Sequence, residues 1–366
     1  MGTVVVLCLT GDVMTGRGVD QILPAAGDPR LWEQYAASAR EYVALAEAAS
    51  GPIPQPVDFS WPWGDAMQVL DDLAPDLRIV NLETSITSSD DFQPAKAVLY
   101  RMHPGNVSCL TAAGLDACAL ANNHVLDFGV GGLEETLDVL THAGLGPVGA
   151  GRDDQQAWRP AALTAGGHRV LVWSVGSASS GVPRSWAAAP GVAGVAFLSE
   201  HSNADTDAIC NRLRRAKEPG DIAVVSVHWG SNWGYEVPRA QVRLAHRLID
   251  SGVDVVHGHS SHHPRPVEVY RDRLVLYGCG DLINDYEGIG GKKRFRDDLR
   301  LVYVARLDPA GGLDELRMVP LQSRQMRLRL ATEQDARWLR GVLLEASRRF
   351  RSRLDLEPDA SLLLHR

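Results

Sequence analysis

The sequence predicts an α/β protein in which two sheets pack face to face with helices outside. Three observations predict it. Short apolar runs alternate with segments of helical periodicity, the first part of the chain is rich in βα pairs and the later part in strands, and five strand ends run into side chains with ligand chemistry.

The elements follow in order. Residues 3–10 form the first strand, ended by Gly11-Asp12. Residues 31–49 place Leu31, Tyr35, Ala39, Tyr42 and Leu45 roughly on one helical face. The next stretch, Gly51-Pro52-Ile53-Pro54-Gln55-Pro56, excludes helix, because proline has no amide donor. Helix 64–74 leads to strand 77–82, helix 105–114 to strand 116–121, and helix 130–144 to a short strand near 147. Residues 160–165 and 168–176, on either side of Gly166-Gly167, read as a hairpin. Helix 204–217 precedes strand 221–228, and helix 239–251 precedes strand 253–257. A second hairpin, 266–270 with 273–278, is followed by strands near 299–307 and 314–320. In 332–354, Trp338, Leu339, Val342, Leu343, Ala346 and Phe350 recur at helical spacing. That stripe marks a docked amphipathic helix or, less simply, a partner-binding one. Without a repeat, a low-complexity tract or a clear linker, residues 1–325 are expected to form one domain. Residues 326–366 are then a helical extension packed on it.

Composition narrows the function. With 366 residues, 45% hydrophobic and 22% charged, the chain is globular, and a formal net charge of −8 argues against a general nucleic-acid binder. Only four of the 37 basic residues are lysine. Five scattered cysteines, Cys8, Cys109, Cys118, Cys210 and Cys279, show no Cys-x-x-Cys spacing and read as buried free thiols in a reducing compartment. The N-terminal run has no basic start, and no stretch of ~18 apolar residues spans a bilayer. A cytoplasmic protein without a membrane span is expected.

Five segments carry chemistry. Four histidines, His257, His259, His262 and His263, fall within seven residues after an apolar run and before Pro264. Imidazole is the commonest metal ligand at neutral pH and is costly to bury alone, so the cluster reads as a metal site at a strand end. In Gly11-Asp12-Val13-Met14-Thr15-Gly16-Arg17, Asp12 is either a metal ligand or a turn residue with a capping role. Arg17 there has the fork that matches an anionic substrate. In Asn81-Leu82-Glu83, Glu83 is either a carboxylate able to bridge cations or a surface glutamate. Asn122-Asn123-His124-Val125-Leu126-Asp127 is more specific. Asn123 offers an amide oxygen to a metal, His124 a general acid, and Asp127 a partner that fixes the His124 tautomer; the alternative is an Asx-turn opening the helix at 130. His228 stands at the end of its strand as a ligand does, and Trp229, Trp233 and Tyr235 after it form either an apolar wall, with Glu236 at its rim, or loop packing. Gly278-Cys279-Gly280-Asp281 and Asn284 line the same pocket. The loop Gly288–Arg296 is a basic lid or simply an exposed charged loop. Mixed nitrogen and oxygen donors suit zinc, manganese or iron, and the absence of a cysteine ligand argues against structural zinc.

Taken in order, Gly11-Asp12-Val13-Met14-Thr15-Gly16-Arg17, Asn81-Leu82-Glu83, Ala121-Asn122-Asn123-His124, Val227-His228-Trp229-Gly230 and Gly258-His259 with His262 resemble the motifs of the bacterial CapA family. These are poly-γ-glutamate capsule synthesis proteins related to calcineurin-like metallophosphoesterases, and the resemblance covers roughly residues 3–285. It implies a four-layer αββα sandwich with a metal centre at one sheet edge. It also implies Asp12 as the first carboxylate ligand, Glu83 in the bridging place, Asn123 as the amide ligand and His124 as the catalytic histidine. His228, His259 and His262 become the later ligands of one or two divalent ions. Two positions depart from the metallophosphoesterase pattern. Met14 stands where a histidine ligand is usual, and one extra residue separates His259 from His262.

Two functions remain. One is a metal-dependent hydrolase of an anionic phosphoester or γ-glutamyl-type amide, with His124, Asp127 and Arg17 serving catalysis. The other is a non-catalytic binding or assembly component of poly-γ-glutamate synthesis, holding a polyglutamate-like chain. A serine hydrolase is a weak third, since Ser260 and Ser261 lack the glycine-flanked elbow.

Overall fold

In the computed structural model, which describes residues 3–94, 96–200, 202–290 and 293–365, most strands gather into two large sheets. Among the described residues the larger has ten strands and the smaller six. Val5–Val13 is central in the larger, parallel to Leu77–Leu82 on one side and antiparallel to Leu299–Leu307 on the other. Ala117–Ala119 and Gly146–Val148 extend the first flank. Leu313–Arg324, Leu362–His365 and Arg353–Leu356 extend the second. The smaller sheet runs Val267–Tyr270, Arg273–Leu276, Val255–His259, Ile222–His228, His168–Gly176, Ala161–Ala165, and its four inner strands are parallel.

Side-chain alternation along these strands creates the layers. Val5, Leu7, Leu9, Leu77 and Ile79 of one sheet share a core with Val172, Ile222, Val224 and Val255 of the other. Their neighbours Cys8, Val80 and Leu82 face a second core with residues of helices Arg40–Ser50, Ala66–Leu73 and Gly129–His142. Ala223, Val225, Val227 and Val256 face a third, with residues of helices Asn203–Ala216 and Arg239–Asp250. The order helix–sheet–sheet–helix is the four-layer αββα sandwich.

Continued to the strand ends, the same period of two turns Asn81 and Glu83, Ser226 and His228, and His257 and His259 into the gap between the sheets. Asp12 would break the rule, because Leu9 already faces inward and strict alternation would send residue 12 to the helices. A bulge between Leu9 and Asp12 in the pairing with Leu77–Leu82 supplies the extra step. Asp12 therefore faces the gap, and Val13 returns to the helix-side core. Gly11 makes this possible on the other side, where a Cβ would lie 1.6 Å from the Gly280 carbonyl oxygen. The Asp12 amide donates to that oxygen at 3.0 Å, and the short strand Asp281–Ile283 sets Asp281 opposite Asp12.

Some boundaries differ from the sequence pattern. The first strand runs past residue 10 because its last residues are paired on both sides. Only Arg40–Ser50 of the expected helix 31–49 is helical. Glu33, before it, is drawn to Arg17 and to the Tyr42 hydroxyl (2.5 Å), and Tyr35 is 84% exposed, so the stripe is not a packed face. The short helix Arg17–Ile22 has no counterpart in the expectation. At the C-terminus the helix Glu333–Ser347, capped by Thr332, sends Leu339 and Leu343 into the inter-sheet core, and the chain beyond returns as two strands instead of continuing to 354. All five cysteines are buried and free. Among the described residues no helix is long and apolar enough to cross a membrane.

Gly11→Ala tests the close approach that brings Asp12 to Asp281. Its methyl must displace backbone, and overpacking of this kind costs about 1–3 kcal/mol. The urea midpoint is expected to fall by that free energy divided by the slope m, with the slope itself unchanged, whereas an unchanged midpoint would mean that the two strands separate freely.

Candidate metal centre

The inward-facing strand ends meet in one buried cluster. Asp12, His228 and His259 place one ligand atom each within 4.8 Å of one another, and Asp12, His262 and Asp281 do the same. Asp12 is thus shared by two donor groups. Glu83 lies alongside, its Oε1 3.7 Å from His124 Nε2 and 3.9 Å from His228 Nε2, and Asn123 Oδ1 is 2.9 Å from His228 Nε2. The Asn81 amide bridges the two carboxylates, donating to Asp12 Oδ1 at 2.8 Å and to Glu83 Oε2 at 3.2 Å. Ser260, held at φ +97, offers its backbone amide to Asp12 Oδ2 at 3.3 Å. A non-glycine residue in that region is strained, and such strain collects where a site needs it.

A hydrogen-bond relay settles the tautomer of His259. The Thr10 carbonyl can only accept, so His257 Nε2, 2.8 Å away, carries a proton. With His257 buried and its pKa lowered to about 4, Nδ1 is bare and accepts from the Ser226 hydroxyl at 2.8 Å. That hydroxyl oxygen accepts from His259 Nε2 at 3.1 Å. His259 Nδ1 is left with a bare lone pair, 2.7 Å from His228 Nδ1. A metal ligand needs such a nitrogen.

His124 has its own orienter. Its Nδ1 lies 2.6 Å from Asp127 Oδ2, while the other Asp127 oxygen takes the Lys96 ammonium. Lys96 also bonds the Asn123 carbonyl and sits 3.1 Å from His124 Nδ1. With Nδ1 turned to a carboxylate, Nε2 is the nitrogen that faces Glu83 and a cavity of about 240 Å³.

The donors are short of positive charge. Burial pushes the Asp12 carboxyl from 3.8 up to about 7, helped by the Asp281 charge and opposed by the Asn81 amide. Burial, with the charges of Asp12 and Asp281, holds Glu83 well above the usual carboxylate range. It pulls His228 and His259 well below 6.5, and His124 to about 4 against the attraction of Asp127. The exceptions are His262 and Asp281, 2.9 Å apart: burial opposes both charges, but their mutual attraction prevails, raising the histidine and lowering the acid. Carboxylates that keep protons beside bare imidazole nitrogens fit a divalent cation, and the mixed donors fit zinc, manganese or iron.

The family model for bacterial capsule synthesis protein PGA_cap matches residues 6–286, a span that includes every residue of this cluster. The chain belongs to this family. It is 52% identical over 97% of its length to a protein of Mycobacterium tuberculosis named "Probable polyglutamine synthesis accessory protein", covering 94% of that protein. It is 26% identical to the "PGA biosynthesis protein CapA" of Bacillus subtilis, over 66% of this chain and 60% of that one. Among solved structures, a 5'-nucleotidase precursor from Thermus thermophilus aligns with a TM-score of 0.48 at 14% identity, over 93% of this chain and 58% of that one.

Other candidates from the sequence take different places in this PGA_cap protein. The Arg17 guanidinium is paired on two sides, with Nε and Nη2 on Asp285 at 3.1 and 2.5 Å and Nη1 on Glu33 at 3.0 Å, between the rings of Tyr42 and Tyr100. It is a buried strut whose charge is met by two carboxylates. Trp229 is not part of a wall: its ring is fully buried, stacked on Tyr277. Trp233 and Tyr235 gather around His263 and Phe295, and Glu236 is exposed. His263 Nε2 accepts from the Gly234 amide and stays outside the donor groups. Asn284 supports Asp281 from behind at 2.6 Å, with Arg300 on its oxygen. In the basic loop Gly291 and Lys292 lie outside the described residues, and Arg296 is tied to Asp298 and Asp335.

Two residues of the site were missed in the sequence. From the sequence Asp281 reads only as pocket lining, although its glycine-rich approach is the available signal. It joins Asp12 and His262 in the second donor group, whereas Met14 is buried and apolar and supplies no ligand. Lys96 has no motif around it, and its one mark is that lysine is rare in this chain.

The raised Asp12 pKa gives a signed expectation for chelator-treated protein. Its folded value of about 7 exceeds the ordinary 3.8, so this group stabilises fully below about pH 4 and loses that contribution as the pH rises through 7. The depressed histidines act in the opposite sense and largely cancel in a comparison of variants. Asp12→Asn should therefore be more stable than the parent at about pH 8, with the advantage vanishing towards pH 4. Saturating Mn²⁺ should reverse the order by stabilising the parent, by ~2.7 kcal/mol at a hundredfold excess over Kd. Parallel urea midpoints across the pH range would count against a buried carboxylate at this position.

Proposed function

We propose that this chain is a metal-dependent hydrolase of an anionic phosphoester or γ-glutamyl-type amide, using one or two ions of manganese, zinc or iron. The position of Asp12 carries the reading: it belongs to both donor groups, and the oriented histidine His124 faces a cavity that His262, of the second group, and Glu83 and Asn123 also line. A divalent ion there supplies Lewis-acid polarisation of the scissile group and lowers the pKa of water. Asp12, His228 and His259 would hold one ion, His262 and Asp281 with Asp12 would hold a second, and Glu83 and Asn123 stand beside the first group.

The remaining work falls to the chain's own groups. Lys96, paired with Asp127, lines the cavity and sets its positive charge beside an incoming anion. An anion in the cavity raises the His124 pKa from its buried value, because a nearby negative charge favours the imidazolium. Since Nδ1 is turned to Asp127, the mobile proton is the one at Nε2, and it goes to the leaving group. The second reading, a non-catalytic component of poly-γ-glutamate synthesis, is favoured by the names of the relatives. Against it stands the His124–Asp127 pair, which a scaffold does not need.

Protein purified without a histidine tag or chelator is expected to contain about one or two equivalents of Mn, Fe or Zn. His124→Ala should keep that metal and lose turnover of phosphoesters or γ-glutamyl amides by about 10²–10⁴-fold. His228→Ala and His259→Ala should lose both. A parent that takes up neither Mn²⁺ nor Zn²⁺, or a fully active His124→Ala, overturns the hydrolase reading.

A further inference from the structure

Beside the cavity at Lys96 and His124 lies a larger one of about 530 Å³, and the two share Val98, Asn232, His262 and Tyr286. Its chemistry differs from that of the metal site. Trp233 stands against His262 at 5.3 Å and is backed by Phe295. Among the described residues, seven large hydrophobic side chains are exposed, and three of them, Tyr35, Leu45 and Ile289, ring this one pocket. Scattered apolar side chains need no explanation, but three gathered around a cleft that opens on a reaction site do.

Charge narrows the occupant. Arg17 lines the pocket but is neutralised by Asp285 and Glu33. His262 lines it too, but is paired with Asp281, and the other acidic or basic side chains of the lining are Glu41 and Asp297, both acidic. A second carboxylate placed there meets like charge with no free cation among the described lining residues, which disfavours a repeating polyanion. A neutral ring meets tryptophan, tyrosine and aliphatic surface, which suit it.

We infer that this pocket is a subsite for a neutral aryl group carried by the substrate, next to the anionic group held at the metal centre. The inference rests on the reading of the smaller cavity as the reaction site. The substrate class becomes an anionic ester or amide with an aromatic substituent, not a glutamate homopolymer.

Three probes test this on the metal-loaded protein by calorimetry and ligand-observed NMR: phenylphosphonate, methylphosphonate and benzyl alcohol. Phenylphosphonate is expected to bind at least about tenfold more tightly than methylphosphonate, the discrimination that burying one ring provides. Trp233→Ala should erase the difference and leave methylphosphonate binding as it was. Ile289→Lys, at an exposed rim position that does not threaten folding, should reduce it as well. Equal binding of the two phosphonates to the parent overturns the subsite and leaves the metal site standing. Benzyl alcohol that binds the parent but not Trp233→Ala, with neither phosphonate bound, keeps the subsite and overturns the phosphoester reading. If no ring-bearing probe binds, or if tri-γ-glutamate displaces benzyl alcohol, the subsite is wrong.

Discussion

Asp12, Glu83 and Asp281 are all buried at one end of the gap between two sheets, and the surrounding structure is arranged around that crowding of acids. Asp12 and Asp281 bring ligand oxygens within 4.8 Å. At an effective dielectric of about 20, two full charges at that distance repel by roughly 3–4 kcal/mol. A domain whose net stability is ~5–15 kcal/mol cannot carry several such terms uncompensated. The compensation is visible: the Asn81 amide between two carboxylates, the strained Ser260 turn with its amide on Asp12, and Asn284 and Arg300 behind Asp281. What these groups leave over is the demand for a cation.

The nitrogen donors are prepared by equally indirect means. A main-chain carbonyl at Thr10, on the larger sheet, sets the proton on His257, and Ser226 passes the consequence to His259. The tautomer of His259 on one sheet is thus fixed by the backbone of the other. Arg17 plays a comparable part on the opposite side of the site. Its pairing with Asp285 and Glu33 ties the start of the first helix to the strand end after Asp281 and to the irregular segment before Tyr42. A buried guanidinium with two carboxylates is held in one geometry, and the aromatic pocket takes its shape around it.

Much of this was legible in the chain. The strand-length apolar runs mark the strands of both sheets and where they end. The histidines and acids at the strand ends give the donor types. The pattern failed where local periodicity and tertiary pairing disagree. Leu31, Tyr35 and Ala39 are spaced like a helix, yet Glu33 among them is claimed by Arg17. Lys96 reaches His124 and Asp127 from a loop whose sequence carries no sign of them. Asp281 was visible as a residue of the pocket, but its partnership with Asp12 depends on two strands that are far apart along the chain.

The sequence by itself determined the fold class, the ends of the strands that hold the site, and the chemistry of the donors. These follow from short-range periodicity and side-chain type, which any segment carries within itself. The tertiary structure decided which way Asp12 faces, which nitrogen of His259 is bare, that Asp281 joins Asp12 and His262, and that Arg17 is a strut. Each of these depends on a contact between residues brought together only by folding: the bulge against Leu77–Leu82, the Thr10 carbonyl beside His257, and the pairing of Gly11 with Gly280. Such contacts leave no periodic trace in the chain, because their partners are set by how the sheets meet and not by neighbours in sequence.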